Sequence, residues 1–138
     1  MPAIEAFLAT AVVPIRISAI DGDFPFICSI WFHFHDDALW CAAHERTKLI
    51  QLLRNNPRCA FDVSPNEPPY RGVRGKAIAQ LHRNDVAQKT LETLTTRYLD
   101  NNNSNLRAWL LSRSHEEYAI QLNPTWITSW DYSDRMAP

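Results

Sequence analysis

Hydrophobic and polar positions alternate in several short stretches of the chain, as they do in half-buried β-strands. The stretches cover residues 15–20, 26–34, 38–43, 58–64, 70–81, 117–122 and 126–132. Turn residues, Asp21-Gly22-Asp23 and Asp36-Asp37, separate the first three stretches. We therefore expect those three to form an antiparallel meander, and we expect Asn123-Pro124 to break the last two apart.

Four other segments have the apolar spacing of amphipathic helices. They cover residues 3–12, 47–56, 84–98 and 106–112. Thr47 or Glu45 can begin the second helix, and Pro57 ends it because proline cannot continue a helix. Asn84 and Asp85 can cap the third, whose inner edge includes Leu91 and Leu94.

Strands joined by tight turns favour an antiparallel sheet, and about seven strands can close on themselves into a barrel. Closure would also remove the exposed edges that invite aggregation. The 138 residues fit one domain, 1–138, and can bury enough apolar surface to fold without disulfides or metal. The pattern predicts a mainly β protein with short flanking helices.

Charge and cysteine usage narrow the expected partners and compartment. The net charge is -1, which predicts no general attraction to nucleic acid or to anionic membranes. We find no apolar run near the roughly 20 residues that span a bilayer, and no signal-peptide pattern at the N-terminus. The cysteines Cys28, Cys41 and Cys59 are odd in number and lie among apolar residues, which predicts reduced thiols and a cytoplasmic protein.

Only three glycines are present, Gly22, Gly72 and Gly75, and their spacing excludes the glycine-rich phosphate loops. A phosphate would have to be held by side chains and a helix N-terminus. Residues 44–48 offer both: they follow a strand and open a helix, with the Thr47 hydroxyl and the charges of Arg46 and Lys48. The alternative is a capped surface helix with solvated charges.

Two further segments are candidate ligand sites. In residues 70–76, arginines alternate with small residues, and glycine would let a planar ring approach; the alternative is a polar outer strand face with a bend. In residues 29–32, Trp31 could wall a planar cofactor, although such a tryptophan is more often part of a core.

Other arrangements of reactive residues are weaker. His33 and His35 share a strand face and lie near His44 in sequence, but no carboxylate or cysteine stands at a familiar zinc spacing, so we expect no metal site. No nucleophile elbow or metalloprotease motif is present. We therefore expect no catalytic side chain and a cofactor that carries its own reactivity.

Residues 16–81 resemble the FMN-binding split-barrel family, the pyridoxamine 5'-phosphate oxidase-like proteins. The matching pieces are residues 16–25, 30–32, 46–58 and 69–75, and the tail 130–136 resembles the ending of a subgroup. The helix that ends in Asn56-Pro57-Arg58 is the most telling piece.

The resemblance implies an antiparallel six- to seven-stranded split barrel, a homodimer, and one FMN in each of two interface clefts. It also implies nine cofactor-binding positions. The first four would lie along the flavin ring or the ribityl chain, and the fifth would form the floor of the site. The next two would bind the phosphate, and the last two would approach the flavin from the next strand. They are Ser29, Ile30, Trp31, Phe32, Ala42, Thr47, Lys48, Tyr70 and Arg71.

Two departures from the oxidases argue against oxidation of pyridoxamine phosphate. The chain lacks their closing arginine–histidine motif, and Leu49 stands where they carry a second basic residue. The function implied is therefore a flavin-dependent oxidoreductase acting on an unknown small organic substrate. The open alternatives are a non-catalytic flavin-binding or sensing module, a relative that binds a deazaflavin, and a haem-binding relative that would use His33, His35 and His44.

Overall fold

A computed structural model describes residues 2–136 of the chain. The four helices begin and end close to the predicted positions: α1 (Pro2–Thr10), α2 (Lys48–Asn55), α3 (Asp85–Tyr98) and α4 (Ser104–Ser112). The strands are β1 (Ile15–Asp21), β2 (Phe24–Ile30), β3 (His33–His35), β4 (Ala38–His44), β5 (Arg58–Val63), β6 (Arg71–His82) and β7 (Glu117–Asp131). In residues 2–136, no helix is long and apolar enough to cross a membrane.

The strands form one seven-stranded sheet in the order β2-β1-β5-β6-β7-β4-β3, and every neighbouring pair is antiparallel. The prediction of a mainly β, antiparallel fold with short flanking helices is confirmed. Within residues 2–136 the sheet is not closed, because no hydrogen-bonded ladder joins its two edge strands, β2 and β3. Our expectation of closure was wrong in that respect.

Both predicted hairpins are present, since β1 pairs with β2 and β3 with β4, but the predicted three-stranded meander is wrong. Residues 26–34 do not form one strand, because Trp31 and Phe32 leave the ladder and carry the chain from the β2 edge to the β3 edge. There the phenol of Tyr98 takes the place of a strand partner, accepting a bond from Phe32 N–H at 3.3 Å and lying 3.1 Å from its carbonyl oxygen. A single side chain can thus satisfy both backbone groups of a buried residue outside the sheet.

The two stretches predicted on either side of Asn123-Pro124 are one strand, β7. Lys76 pairs with Trp126 and Ala77 with Pro124, so Thr125 is an extra residue on β7. A bulge of this kind accommodates a proline in the strand, since the ladder is already interrupted where the N–H is missing.

The core lies on the inner face of the curved sheet. Alternate residues of β1, β5 and β6 point inward, and α2 adds Leu49, Ile50, Leu52 and Leu53, each at most 7% exposed. Helix α3 packs against β4 and β7 through Ala87, Leu91 and Leu94. This leaves a space between α3, the end of β2 and β4, which is where the candidate site lies.

Candidate functional site

A groove of about 300 Å³ opens between α3, β4 and the end of β2. Four predicted cofactor-binding residues line it together: Ser29, Ile30, Trp31 and Ala42. The remaining lining comes from residues that the site prediction missed, Pro14, Leu91 and Leu94. The two leucines carried a usable signal, since the helical spacing placed them on the inner edge of the third predicted helix, but the spacing does not say which strands that edge faces.

The indole of Trp31 forms a braced wall of this groove. The ring lies on that of Tyr98 with centroids 5.2 Å apart and planes 9° from parallel. The Tyr98 hydroxyl lies 2.9 Å from the carbonyl oxygen of Val13, the residue before Pro14 of the groove. Tyr98 therefore joins three segments, 13–14, 31–32 and α3, and burial raises the pKa of its phenol, so it stays protonated.

Phe32 does not line the groove with its neighbours. Its side chain is 0% exposed in the core, and the guanidinium of Arg97 lies 5.4 Å from the centre of its ring. Arg97 in turn donates hydrogen bonds to the carbonyls of Leu8, Ala9 and Ala11 and so ties the end of α1 to α3. In this structure the Phe32 side chain serves the core and cannot touch a ligand in the groove.

The predicted phosphate region is the start of α2. Thr47 is the N-cap residue: its Oγ1 accepts a bond from Ile50 N–H at 3.4 Å and donates to the carbonyl of His44 at 2.9 Å. Lys48 Nζ lies 3.6 Å from Asp21 Oδ2 in the β1–β2 hairpin. The side chain of Arg46 is exposed and makes no hydrogen bond or ion pair with residues 2–136. The prediction that Thr47 can begin this helix is confirmed.

Neither Thr47 nor Lys48 lines the groove. Ser29 pairs with Arg16 on β1, whereas Lys48 contacts Asp21, five positions further along the same strand. At about 3.3 Å per residue, these two points on β1 are about 16 Å apart. To reach from the groove to the start of α2, a ligand would need its ring at one end of a chain and its anionic group at the other.

Arg71 lines a different cleft, of about 330 Å³, beside α1, and Tyr70 directly precedes it in the chain. The Arg71 guanidinium lies 5.6 Å from the centre of the Phe7 ring, and Tyr70 N–H donates to Met136 Sδ at 3.3 Å. Within one chain, the structure therefore does not bring Tyr70 and Arg71 to the groove.

The glycines of β6 are needed by the protein's own packing. A Cβ at Gly72 would lie 2.8 Å from the Trp130 ring, and one at Gly75 would lie 2.8 Å from the Phe61 ring. The sequence left open whether these glycines admit a ligand close to the backbone. In this structure, side chains and backbone carbonyls of residues 61–64 and of β7 occupy that space instead.

A polar network beside the start of α2 was not predicted. Arg46 N–H donates to His44 Nδ1 at 3.1 Å, so His44 Nε2 carries the proton and donates to Glu116 Oε2 at 3.0 Å. This bond, helped by Arg113, lowers the pKa of Glu116. Next to it, burial raises the pKa of Glu117, whose Oε2 has no hydrogen-bond partner in residues 2–136.

The three histidines considered for haem or metal do not converge. His33 pairs with Trp40 on β4, and His44 is four positions further along that strand, about 13 Å away. In the part of the chain that the structure describes, no three histidine, cysteine, aspartate or glutamate side chains are grouped so that they could hold a metal ion. The three histidines therefore do not form one site.

No protein-family model and no curated protein matches the chain. Solved structures do match it over most of its length. A conserved hypothetical protein of Mycobacterium tuberculosis, Rv2991, superimposes with a TM-score of 0.82 and 16% identity, covering 99% of this chain and 88% of that chain. An F420 reductase gives 0.70 and 17% identity, covering 90% of this chain and 94% of that one.

A third match is a Listeria innocua protein provisionally named pyridoxamine 5'-phosphate oxidase. Its TM-score is 0.66 at 14% identity, and the alignment covers 96% of this chain and 94% of that one. Identities this low establish the architecture alone. The chain therefore has the split-barrel fold of the pyridoxamine 5'-phosphate oxidase-like proteins.

Proposed function

We propose that the protein binds FMN or a related flavin and acts as a flavin-dependent oxidoreductase on a small organic molecule. One observation carries the proposal: Ser29, Ile30, Trp31 and Ala42, which the sequence predicts as flavin-binding, line a single groove. The fold, shared with an F420 reductase and with the protein named pyridoxamine 5'-phosphate oxidase, supports it.

The groove suits a flat, largely apolar ring. Ile30, Ala42, Leu91 and Leu94 supply apolar surface, and the Trp31 indole supplies a planar wall held by Tyr98. Ser29 adds a hydroxyl at the rim. A volume of about 300 Å³ is at the lower end for ligand sites, so one chain would enclose the ring and leave the rest of the molecule outside.

The phosphate is assigned in this proposal to Thr47 and Lys48. The N-terminus of α2 and the Lys48 ammonium provide positive potential there, and the free Arg46 guanidinium can add to it. Lys48 is about half exposed and its ion pair with Asp21 is long, at 3.6 Å, so exchanging the carboxylate for a phosphate has a low cost.

When bound, a flavin supplies the redox chemistry, and the chain's own residues bind and orient it. Trp31 fixes the plane of the ring, and the leucines of α3 keep water from its covered face. The proposal assigns no proton transfer to a side chain of the groove, because Ser29 is the only hydroxyl among its lining residues and none of them is titratable.

We further propose a homodimer formed through the outer face of the sheet. By the strand register, Ile20, Ile27, Ile78 and Trp126 share that face, and they are 48%, 69%, 39% and 51% exposed. Exposed apolar side chains clustered on one sheet face are typical of interaction surfaces. An Ile27→Asp, Trp126→Asp double variant should sediment as a monomer where the unchanged protein sediments as a dimer. A monomeric unchanged protein would contradict this part of the proposal.

The cytoplasm is the compartment that we propose. All three cysteines are free, and burial raises the pKa of the Cys41 and Cys59 thiols, which keeps them protonated and unreactive.

Flavin binding is tested by titrating FMN and riboflavin and following flavin fluorescence. Lys48→Ala should weaken FMN binding by about tenfold or more and leave riboflavin binding unchanged, because a charge-assisted contact contributes about 1.5–3 kcal/mol. Arg107→Ala, which removes an exposed positive charge on α4, is the matched control and should change neither affinity. Equal losses for both flavins would remove Lys48 from the phosphate site, and no affinity for FMN or for the deazaflavin F420 would refute the proposed cofactor.

Catalysis is tested separately from binding. The oxidoreductase predicts that the bound flavin is reduced by NADPH or NADH and reoxidised by some member of a panel of quinones, nitroaromatics and enones. Tight binding without turnover across the panel would instead identify a flavin-storage or sensing module.

A further inference from the structure

A second cavity, of about 280 Å³, lies between the β3–β4 hairpin and α3. Its lining residues differ from those of the groove, and none of them is assigned a role above. Those that matter here are His33, Trp40, Val86, Lys89 and Thr90. The question is which kind of molecule this set of side chains would bind.

Three hydrogen-bond donors in the wall of this cavity have no partner in residues 2–136. Thr90 is 4% exposed, yet its hydroxyl makes no hydrogen bond, whereas Thr93 and Thr95 on the same helix bond to carbonyls of the preceding turn. The ring nitrogens of His33 make no hydrogen bond, and the Lys89 ammonium makes no ion pair. Lys89 is exposed, and the Thr90 hydroxyl is not among the side-chain atoms of residues 2–136 that are both fully buried and unbonded, so water reaches these groups. A ligand acceptor in the cavity can take the place of that water.

The charges around the cavity favour an anion. Lys89 lies in its wall, and the positive charge of Arg97 is close enough to affect His33. Burial, together with His35 and Arg97, lowers the pKa of His33 to about 4, so at neutral pH its imidazole offers an N–H without a charge. The one carboxylate in the wall, that of Asp36, is held by His35 Nε2 at 3.1 Å.

The rest of the wall is apolar and aromatic. Trp40 lies between His33 and His82, with ring centroids 6.5 Å and 5.6 Å away, and Val86 faces the opening with 40% of its surface exposed. A cavity of about 150 Å³ is known to hold benzene, so this one has room for a single ring with a small substituent.

We propose that the cavity between the β3–β4 hairpin and α3 binds a small organic carboxylate, with the carboxylate on Lys89, Thr90 and His33 and the apolar part against Trp40 and Val86. This inference does not depend on flavin binding. It assigns the protein a second ligand class, a one-ring or similarly sized monocarboxylic acid, at a site separate from the groove.

The test uses benzoate as the probe and the histidine ring signals of the full chain as the reporter, by NMR at pH 7.5. The five histidines are assigned from single His→Gln variants. Benzoate should shift the His33 signal in a saturable way and leave those of His44 and His115 in place. Benzamide has the same shape without the charge and should bind at least about tenfold more weakly, because it loses the charge-assisted contact.

Variants then locate the site. Lys89→Met should weaken benzoate binding about tenfold and Thr90→Val about fivefold, whereas Thr90→Ser, which keeps the hydroxyl, should bind nearly as well as the unchanged protein. Arg107→Met removes an exposed positive charge from α4 and should have no effect. Unchanged melting temperatures confirm that the variants fold.

Three results would overturn the proposal. One is the absence of a saturable shift at His33 in the unchanged protein. The second is equal affinity for benzoate and benzamide. The third is binding that survives Lys89→Met and Thr90→Val in variants that retain their melting temperature.

Discussion

Tyr98 braces the crossing between β2 and β3, and its removal is a direct test of how that crossing is held. The hydroxyl accepts a bond from Phe32 N–H and lies within bonding distance of the carbonyls of Phe32 and Val13, to one of which it can donate at a time. Tyr98→Phe keeps the ring and removes one accepted and one donated hydrogen bond, and it leaves Phe32 N–H, whose residue is 0% exposed, without its partner.

At about 1 kcal/mol for each bond, Tyr98→Phe should lower the free energy of unfolding by about 2 kcal/mol. For a chain of this size that corresponds to about 8 °C in Tm. Tyr98→Leu also removes the stack on Trp31, at 5.2 Å, and should cost about 1 kcal/mol more. Because Trp31 walls the groove, only the second variant should also weaken FMN binding.

Urea unfolding followed by far-UV circular dichroism measures these differences. Tyr132→Phe is the matched control, since the Tyr132 ring is 45% exposed and its hydroxyl makes no hydrogen bond with residues 2–136. That variant should stay within about 0.5 kcal/mol of the unchanged protein. If Tyr98→Phe is as stable as Tyr132→Phe, the phenol does not hold the crossing and the reasoning is refuted.

Three further changes have defined outcomes. Gly75→Ala should lower the unfolding free energy by about 3 kcal/mol, because its Cβ would meet the backbone carbonyl of Trp126 and the Phe61 ring. Gly22→Ala, which meets no atom and is opposed only by a φ of 59°, should cost about 1 kcal/mol, and equal losses would contradict this. Glu117→Gln should stabilise the protein at pH 7 but not at pH 4. Because the pKa of Glu117 is raised in the folded protein, ionising this carboxyl above its ordinary pKa of 4.5 costs stability, and glutamine avoids that cost. A stabilisation that does not change with pH would contradict this explanation. Arg97→Met should speed amide hydrogen exchange in α1, because it removes the hydrogen bonds from Arg97 to the carbonyls of Leu8 and Ala9. Unchanged exchange there would show that these bonds do not hold the helix.

The sequence was sufficient for most of the helices and strands, because each of these carries its own periodicity. The alternation Ile15, Ile17, Ala19 is buried as predicted, and Thr47 begins the helix that Pro57 ends. Both signals are local, since they depend on neighbouring residues and on the backbone chemistry of proline and of a capping hydroxyl.

Strand pairing was harder, because it depends on distant partners. Residues 26–34 look like one strand, and only Tyr98, 66 positions after Phe32, reveals why the strand stops. Pro124 looked like a break, but a bulge against Lys76 and Ala77 absorbs it. Neither event leaves a mark in the local pattern of apolar and polar residues.

The candidate site was predicted in part for the same reason. Ser29, Ile30 and Trp31 are contiguous, and the resemblance placed Ala42 with them, so four residues were found together. The resemblance also included Phe32, but its side chain is buried in the core. We missed Leu91, Leu94 and Tyr98 as site residues, because the local sequence does not show that α3 packs against β4.

The central claim is that the groove beside Trp31 receives a flavin ring whose phosphate reaches the start of α2. A crystal structure of the protein grown with saturating FMN tests it most directly. We predict the ring in contact with the Trp31 indole and the phosphate within hydrogen-bond distance of Lys48 and Thr47. An FMN molecule bound elsewhere, with the groove closed by the protein's own side chains and Lys48 still on Asp21, would contradict the claim.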